Sequence, residues 1–349
     1  AQRRKSTTKN TSEPGAKVST SVEVLLKALT DIVPNLSATR RERLYDVLRQ
    51  KLLIEIGRIE TDVTEIRVNQ KLPSVLWCGT NGAYPTRLLA SEIVRRGGVV
   101  NGFDHGGVTG ITQLAELTAI VELLTTTNFT VATPEWKALV ETSGALDIAR
   151  PLNRPEIRAG DGEPTFKAAI RNTPPSSSGK LRVIYVGHPF RGVRQFAIPA
   201  IPDSVYWDFQ ERLIGSLSAL PIELICKPHP EGVFKGGRTP IENLAKTSYR
   251  PFEEHLDDAD VFLFDAPTST TFMESLCTRR RVVLLDRGHY PFSKTVEPHA
   301  RERCRIVQIR TNGEGRLHVD NDALSDALIS PGPDPDPSYF RRLLTGSTE

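Results

Sequence analysis

Lys227, Pro228, His229 and Pro230 form a cationic loop directly after the apolar run Ile222–Ile225, and a hydroxyl cluster, Thr268, Ser269, Thr270 and Thr271, lies some forty residues further on. The second cluster follows another apolar run, Val261–Phe264, and a turn through Asp265, Ala266 and Pro267. Mostly apolar runs of this length read as buried parallel strands, and α/β sheets present ligands at the carboxyl ends of such strands. A helix start offers free N–H groups and the positive end of the peptide dipole, to which clustered hydroxyls add donors. Two neighbouring strand ends, one cationic and one rich in hydroxyls, suit a shared phosphate. Lys227 would supply fixed charge to that phosphate, and His229, Ser269 and Thr270 hydrogen-bond donors.

The first half carries its own candidate loop. Strand Val99–Phe103 is expected to end in DHGGVTG, residues 104–110, where Asp104 and His105 stand at the strand end and Gly106, Gly107 and Gly110 let the backbone approach a ligand closely. Asp104 capping the next helix and His105 as a structural histidine are the plainer alternatives. At the opening of the second half, GHPFRG (187–192) follows strand Leu181–Val186 and brings a second His-Pro pair, His188 and Pro189, with Arg191 and Arg194 nearby as further phosphate candidates. The loop GTNGAYPT (79–86) has glycines at 79 and 82 but not the spacing of a dinucleotide fingerprint.

The pairing of an HP motif with a Ser/Thr-rich helix start resembles sugar transferases of the GT-B fold that use CMP- or CDP-activated donors: bacterial sialyltransferases, glycerophosphate polymerases and, above all, the retaining Kdo transferases of capsule and lipopolysaccharide assembly. Kdo transferases carry a TS-x-T-x-x-E-like segment, matched here by TSTTFMES, followed by a motif near G-x-P-F-Y. Here that second motif is DRGHYPFS (286–293), with His289 and Tyr290 before Pro291 and no Tyr after Phe292. The resemblance covers residues 181–295 best and reaches 75–112 more loosely. It implies an α/β architecture of two Rossmann-like, doubly wound domains facing across a cleft. It also implies a CMP-sugar, Kdo in the first instance, as substrate, a glycan or lipid-linked glycan acceptor, and no cofactor or metal. Glu274 would bind ribose hydroxyls. Asp104 would match the acid that attacks the sugar in a retaining double displacement, and His105 beside it would exchange a proton with the acceptor. Pro230, Thr271, Gly106, Gly107, His188 and Asp265 complete the expected site. An inverting CMP-sialic acid transferase, a CDP-glycerol glycerophosphotransferase and a sugar-nucleotide-binding module without turnover are the alternatives.

These loops need two sheets to position them. A chain of 349 residues exceeds one ordinary core. Residues 1–20 read as a disordered basic N-terminus, either a charged flank or a segment attracted to a membrane surface. Residues 21–175 read as an acceptor-side domain, 176–330 as a nucleotide-sugar domain, and 331–349 as a tail packing back. The acceptor domain would start with two amphipathic helices, the first carrying Val22, Leu25, Leu26 and Leu29, the second starting near Thr39 with Leu44, Val47, Leu48 and Leu52. It would end in a Pro-, Arg-, Gly- and Ser-rich connection over 144–180. Hydrophobic content of 38%, 25% charged residues and a net charge of +3 are ordinary for a globular protein and leave out a nucleic-acid binder, which needs a basic stripe. Cys78, Cys226, Cys277 and Cys304 lack metal-ligand spacing and read as free thiols in a reducing, cytoplasmic setting, with the inner membrane face as a further possibility. No run has the length of a membrane span. The absence of an initial Met and the short first domain fit one module of a larger protein.

Overall fold

A computed structural model describes residues 16–33, 36–150, 153–170, 179–190, 201–230, 239–332 and 334–347. Of the N-terminal stretch 1–20 expected to be disordered, residues 1–15 lie outside the described residues, whereas 16–20 already belong to the first helix and correct that part of the reading. Arg191, Arg194 and the Pro/Ser-rich segment 171–178 also lie outside the described residues. The chain divides into two compact units: Ala1–Ser74 with Pro85–Gly98, and Val75–Tyr84 with Val99–Glu349.

The first unit is helical. Helix α1 (Ala16–Ile32) runs beside α2 (Ala38–Val68), whose N-cap Ser37 accepts a hydrogen bond from the Arg40 N–H. Val22 and Leu26 of α1 are buried, but Leu25 and Leu29 stay exposed, as does Val47 of α2, so only part of the expected apolar stripe is used. Helix α3 (Tyr84–Arg95) contributes all but its first residue to this unit. Its buried Glu92 pairs with Arg95 and Arg96, and these guanidinium groups hold the carboxyl down at about 2. Arg96 also donates to the Ile66, Arg67 and Asn69 carbonyls, at and just past the end of α2 where intrahelical donors run out.

The second unit contains two sheets. Strands β1 (Val75–Cys78), β2 (Val99–Phe103), β3 (Asn128–Val131) and β4 (Glu156–Ala159) form a parallel sheet in that order. β4 corrects the reading of 144–180 as a bare connection. Helix α6 (Ala145–Ala149), β4 and helix α7 (Pro164–Ile170) fold within it, Ile157, Phe166 and Ala169 being buried among the Pro and Arg residues that dominate the composition. The other sheet comprises β5 (Leu181–Val186), β6 (Ile222–Lys227), β7 (Val261–Phe264), β8 (Arg281–Asp286), β9 (Arg305–Thr311) and β10 (Leu317–Val319). Its order is β10-β9-β8-β7-β5-β6, parallel except for the β9–β10 pair. Both faces of its central strands are covered. Ile184, Phe262, Phe264 and Leu284 join one core cluster, which also takes Phe129, Trp136 and Phe166 from the other sheet's layers. Val183, Tyr185, Leu263 and Leu285 join a second cluster with helix α8 (Asp203–Ser218). Strands buried on both sides read as continuous apolar runs, which is why these were visible in the sequence. The fold is thus the expected α/β class with two parallel, Rossmann-like sheets.

The last helix, α12 (Ser338–Thr345), buries Phe340, Leu343 and Leu344 in the first of those clusters. The Thr133 hydroxyl donates to the Leu343 carbonyl, and Arg341 Nε donates to the Cys277 carbonyl at 2.8 Å. Among the described residues, no helix is long and apolar enough to cross a membrane.

Candidate functional site

Strand order decides where a doubly wound sheet binds. From the β5–β6 pair the sheet runs outward in one direction, and from β5 to β7, β8 and β9 in the other, so the chain reverses between β5 and β7. The carboxyl ends of those two strands flank the crevice that such a reversal opens. Asp265 sits there, buried, immediately after β7. Its Oδ2 accepts from the hydroxyls of Tyr185 at 2.7 Å and Tyr206 at 2.6 Å, and its Oδ1 from the backbone N–H of His188 at 2.9 Å. Burial and the adjacent carboxylate push both tyrosines well above the usual phenol range. Asp265 therefore fixes the 187–190 loop against the end of β7, with the His188 ring edge-on to Tyr206.

Helix α9 (Thr270–Leu276) starts five residues later. Ser269 is its N-cap: the backbone is extended and Oγ accepts from the Phe272 N–H at 3.1 Å. Ser269 and Thr271 hydroxyls lie 3.1 Å apart, and Thr270 Oγ1 donates to the His105 carbonyl at 3.4 Å. The Ser/Thr helix start and the DHGGVTG loop, 165 residues apart in sequence, are thus in direct contact.

That contact depends on glycine. Gly107 has φ +73°, and a Cβ there would stand 3.0 Å from both Met273 Cγ on α9 and Phe166 Cζ, so a larger residue would push the loop off the helix. A second seam closes just beyond. Gln113 N–H donates to the Pro291 carbonyl at 2.8 Å, Ser293 N–H to the Ile111 carbonyl at 2.8 Å, and Gln113 Nε2 to the Phe292 carbonyl at 2.9 Å. The segment DRGHYPFS therefore pairs with the chain leaving the DHGGVTG loop.

Within the loop, Asp104 is an organiser. Oδ2 accepts from the N–H groups of Gly106 at 3.1 Å and Gly107 at 2.6 Å, and Oδ1 from the N–H of Thr109 at 3.3 Å and from its hydroxyl. A carboxylate offers about four lone-pair sites, and in this conformation the loop occupies as many. His105, next to it, is exposed.

Sequence reasoning missed the group behind His105. Glu122 lies on a π-turn, Ala119–Leu123, which continues helix α4 (Ala115–Thr118). The residue is 7% exposed. Its Oε1 accepts from Thr80 Oγ1 at 2.9 Å and its Oε2 from the Asn81 N–H at 3.3 Å, and Oε1 stands 3.9 Å from His105 Nδ1. Burial raises the Glu122 carboxyl above the ordinary carboxylate range.

At the end of β6 the picture differs from a free phosphate cation. Lys227 is buried, its Nζ donates to the Arg250 carbonyl at 2.7 Å, and burial lowers its pKa. His229 is half-buried and Pro230 exposed. Glu274, on the second turn of α9, is 1% exposed, and its Oε1 has no hydrogen-bond partner among the described residues. Burial, reinforced by the neighbouring Glu253 charge, pushes its carboxyl up to about 8. Among the described residues no cluster of three His, Cys, Asp or Glu side chains could hold a metal ion.

No family model matches the chain, and no curated protein matches it. Among solved structures it is similar to the crystal structure of TarM, with 10% identity and a TM-score of 0.39 over 82% of this chain and 51% of that one. The chain spans about half of TarM's length. So loose a likeness bears on neither the chemistry nor the ligand of the site.

Proposed function

We propose that the protein is a glycosyltransferase that moves a sugar from a CMP-activated donor, Kdo in the first instance, to a hydroxyl of a surface-glycan acceptor. The observation that carries this reading is the contact between the DHGGVTG loop and the Ser/Thr start of α9, beside the switch point of the six-stranded sheet. A donor phosphate set against the α9 start would hold its sugar next to Asp104 and His105. The unpartnered oxygen of Glu274 suits a ribose hydroxyl: protonated, the carboxyl donates, and ionised, it accepts. His229, at the end of the neighbouring strand, supplies a further donor toward the nucleotide.

By the motif resemblance, Asp104 attacks the anomeric carbon, the CMP phosphate leaves with the bonding pair, and the acceptor oxygen then displaces the carboxylate, with net retention. A specific observation supports a second reading. The Asp104 lone pairs are engaged by Gly106, Gly107 and Thr109, whereas His105 is exposed and backed by Glu122. In that case His105 deprotonates the acceptor for one direct, inverting displacement. Proton NMR of the product's anomeric configuration, with intact-mass analysis of protein incubated with donor alone, separates the two. Retention with one added sugar on the peptide containing Asp104 supports double displacement, and inversion with no adduct supports His105 as base. Failure to bind CMP or release it from any CMP-sugar overturns the proposed function.

A further inference from the structure

We infer that Glu122 is the positioning residue of an acid–base pair with His105, holding the imidazole through Nδ1 so that Nε2 meets the acceptor hydroxyl. The inference rests on the glycosyl-transfer reading for its substrate, but its geometry stands apart from that reading. Thr80 and the Asn81 backbone pin one Glu122 oxygen each. Asn81 is itself immobilised: fully buried, it donates from Nδ2 to Thr126 Oγ1 at 2.7 Å, and its Oδ1 accepts from Cys78 Sγ at 3.0 Å. The carboxylate is held on both oxygens, and its Oε1 stands 3.9 Å from the exposed imidazole's Nδ1. That separation is an ion-pair contact and not yet a hydrogen bond, so the pairing requires the exposed His105 ring to turn toward Oε1.

Burying a carboxyl beside the like-charged Asp104 carries a cost that a neutral side chain avoids; an amide would keep the acceptor for the Asn81 N–H only if the Thr80 hydroxyl turned to accept from its NH2. The titratable groups facing Glu122 are Asp104, His105 and Cys78, of which His105 alone becomes cationic. The carboxyl also sits on a π-turn, a local irregularity that recurs at functional sites.

The chemistry balances. The acceptor O–H gives its proton to His105 Nε2 while its oxygen forms a bond to the anomeric carbon. The bond from that carbon to the leaving oxygen breaks, its electron pair going to the CMP phosphate in a direct displacement or to Asp104 in the second half of a double one. The imidazolium that forms carries its Nδ1–H against Glu122, which offsets the charge. The pair therefore serves either stereochemical course.

The test uses the full chain with 15N-labelled histidine and the variants Glu122→Gln and Glu122→Asp, the His105 signals being assigned with His105→Gln. With Gln at 122, the Asn81 N–H claims the amide oxygen and the amide nitrogen faces the ring, so Nδ1 must become an acceptor. Wild-type protein at a pH where the ring is neutral is expected to hold the Nδ1–H tautomer, and Glu122→Gln to switch to Nε2–H. In turnover with CMP-Kdo, Glu122→Gln is expected to lose kcat by roughly ten- to a hundredfold, with donor KM within about twofold and partial rescue by Glu122→Asp. The same tautomer in wild type and Glu122→Gln would overturn the inference whatever the activity. Wild-type protein without turnover would sink the glycosyl-transfer reading and leave the tautomer result to decide this one.

Discussion

Replacing Asp104 by alanine should loosen the DHGGVTG loop before it does anything else. The side chain accepts from three backbone N–H groups and one hydroxyl within five residues. The four contacts are part-buried, so water partly replaces each lost bond, and a net value of about 0.5–1 kcal/mol per contact applies rather than the larger figure for buried charged pairs. Four contacts give about 2–4 kcal/mol. For a unit of this size, each kcal/mol lowers Tm by about 2–4 °C, so Asp104→Ala should melt roughly 4–16 °C below wild type. Asp104→Asn keeps one acceptor oxygen and should lose about half as much. Hydrogen exchange localises the effect: the amides of Gly106, Gly107 and Thr109 should lose protection in Asp104→Ala while those of β2 keep theirs. Unchanged exchange at those three amides would refute the organising role. Lost transfer in Asp104→Asn with near-native amide protection would instead point to direct participation of the carboxylate in the chemistry.

Ser269→Ala removes the cap of α9 and should cost about 1 kcal/mol in denaturant unfolding; a loss confined to stability, with normal turnover of the folded fraction, would restrict Ser269 to capping. Lys227→Met should leave the Arg250 carbonyl without its donor, and calorimetry with CMP decides whether the charge also serves the nucleotide, a tenfold loss being expected if it does and no change if the contact to Arg250 is all. Glu274 has a folded pKa of about 8, above the usual 4.5, so the folded state retains a proton that the unfolded chain releases. Wild-type stability should therefore fall relative to Glu274→Gln as pH rises from 4.5 to 8, and melting curves that stay parallel across that range would contradict the shift. Glu92 works in the opposite sense: its pKa of about 2 gives stability that is present above 4.5 and lost as pH falls toward 2, so Glu92→Gln should flatten that acid limb in thermal melts.

The second sheet was legible because its strands are buried on both faces, so Val261–Phe264 and Leu181–Val186 stand out as apolar runs and their loops can be placed at strand ends. The sequence could not give the order of those strands, and the order alone makes Asp265 a residue of the switch point rather than one member of a turn. Glu122 was hidden for a different reason. It is a single acidic residue in a helical pattern, and apolar periodicity does not distinguish a π-turn from the helix that carries it. β4 escaped notice because Ile157 is its one buried residue and prolines and arginines surround it. Lys227 shows the limit of reading charge from a motif: residue type predicts an ammonium at the strand end, but which acceptor it finds, here the Arg250 carbonyl, depends on a loop more than twenty residues away.

The most direct test of the proposed activity is donor turnover. Purified protein incubated separately with CMP-Kdo, CMP-sialic acid and CDP-glycerol, with a hydroxyl acceptor present, is followed for release of CMP or CDP. The account predicts CMP release from CMP-Kdo that His105→Ala and the pair Ser269→Ala with Thr270→Ala each reduce at least tenfold while both variants stay folded. Release of nothing from any of the three donors, together with no calorimetric binding of CMP, would contradict it.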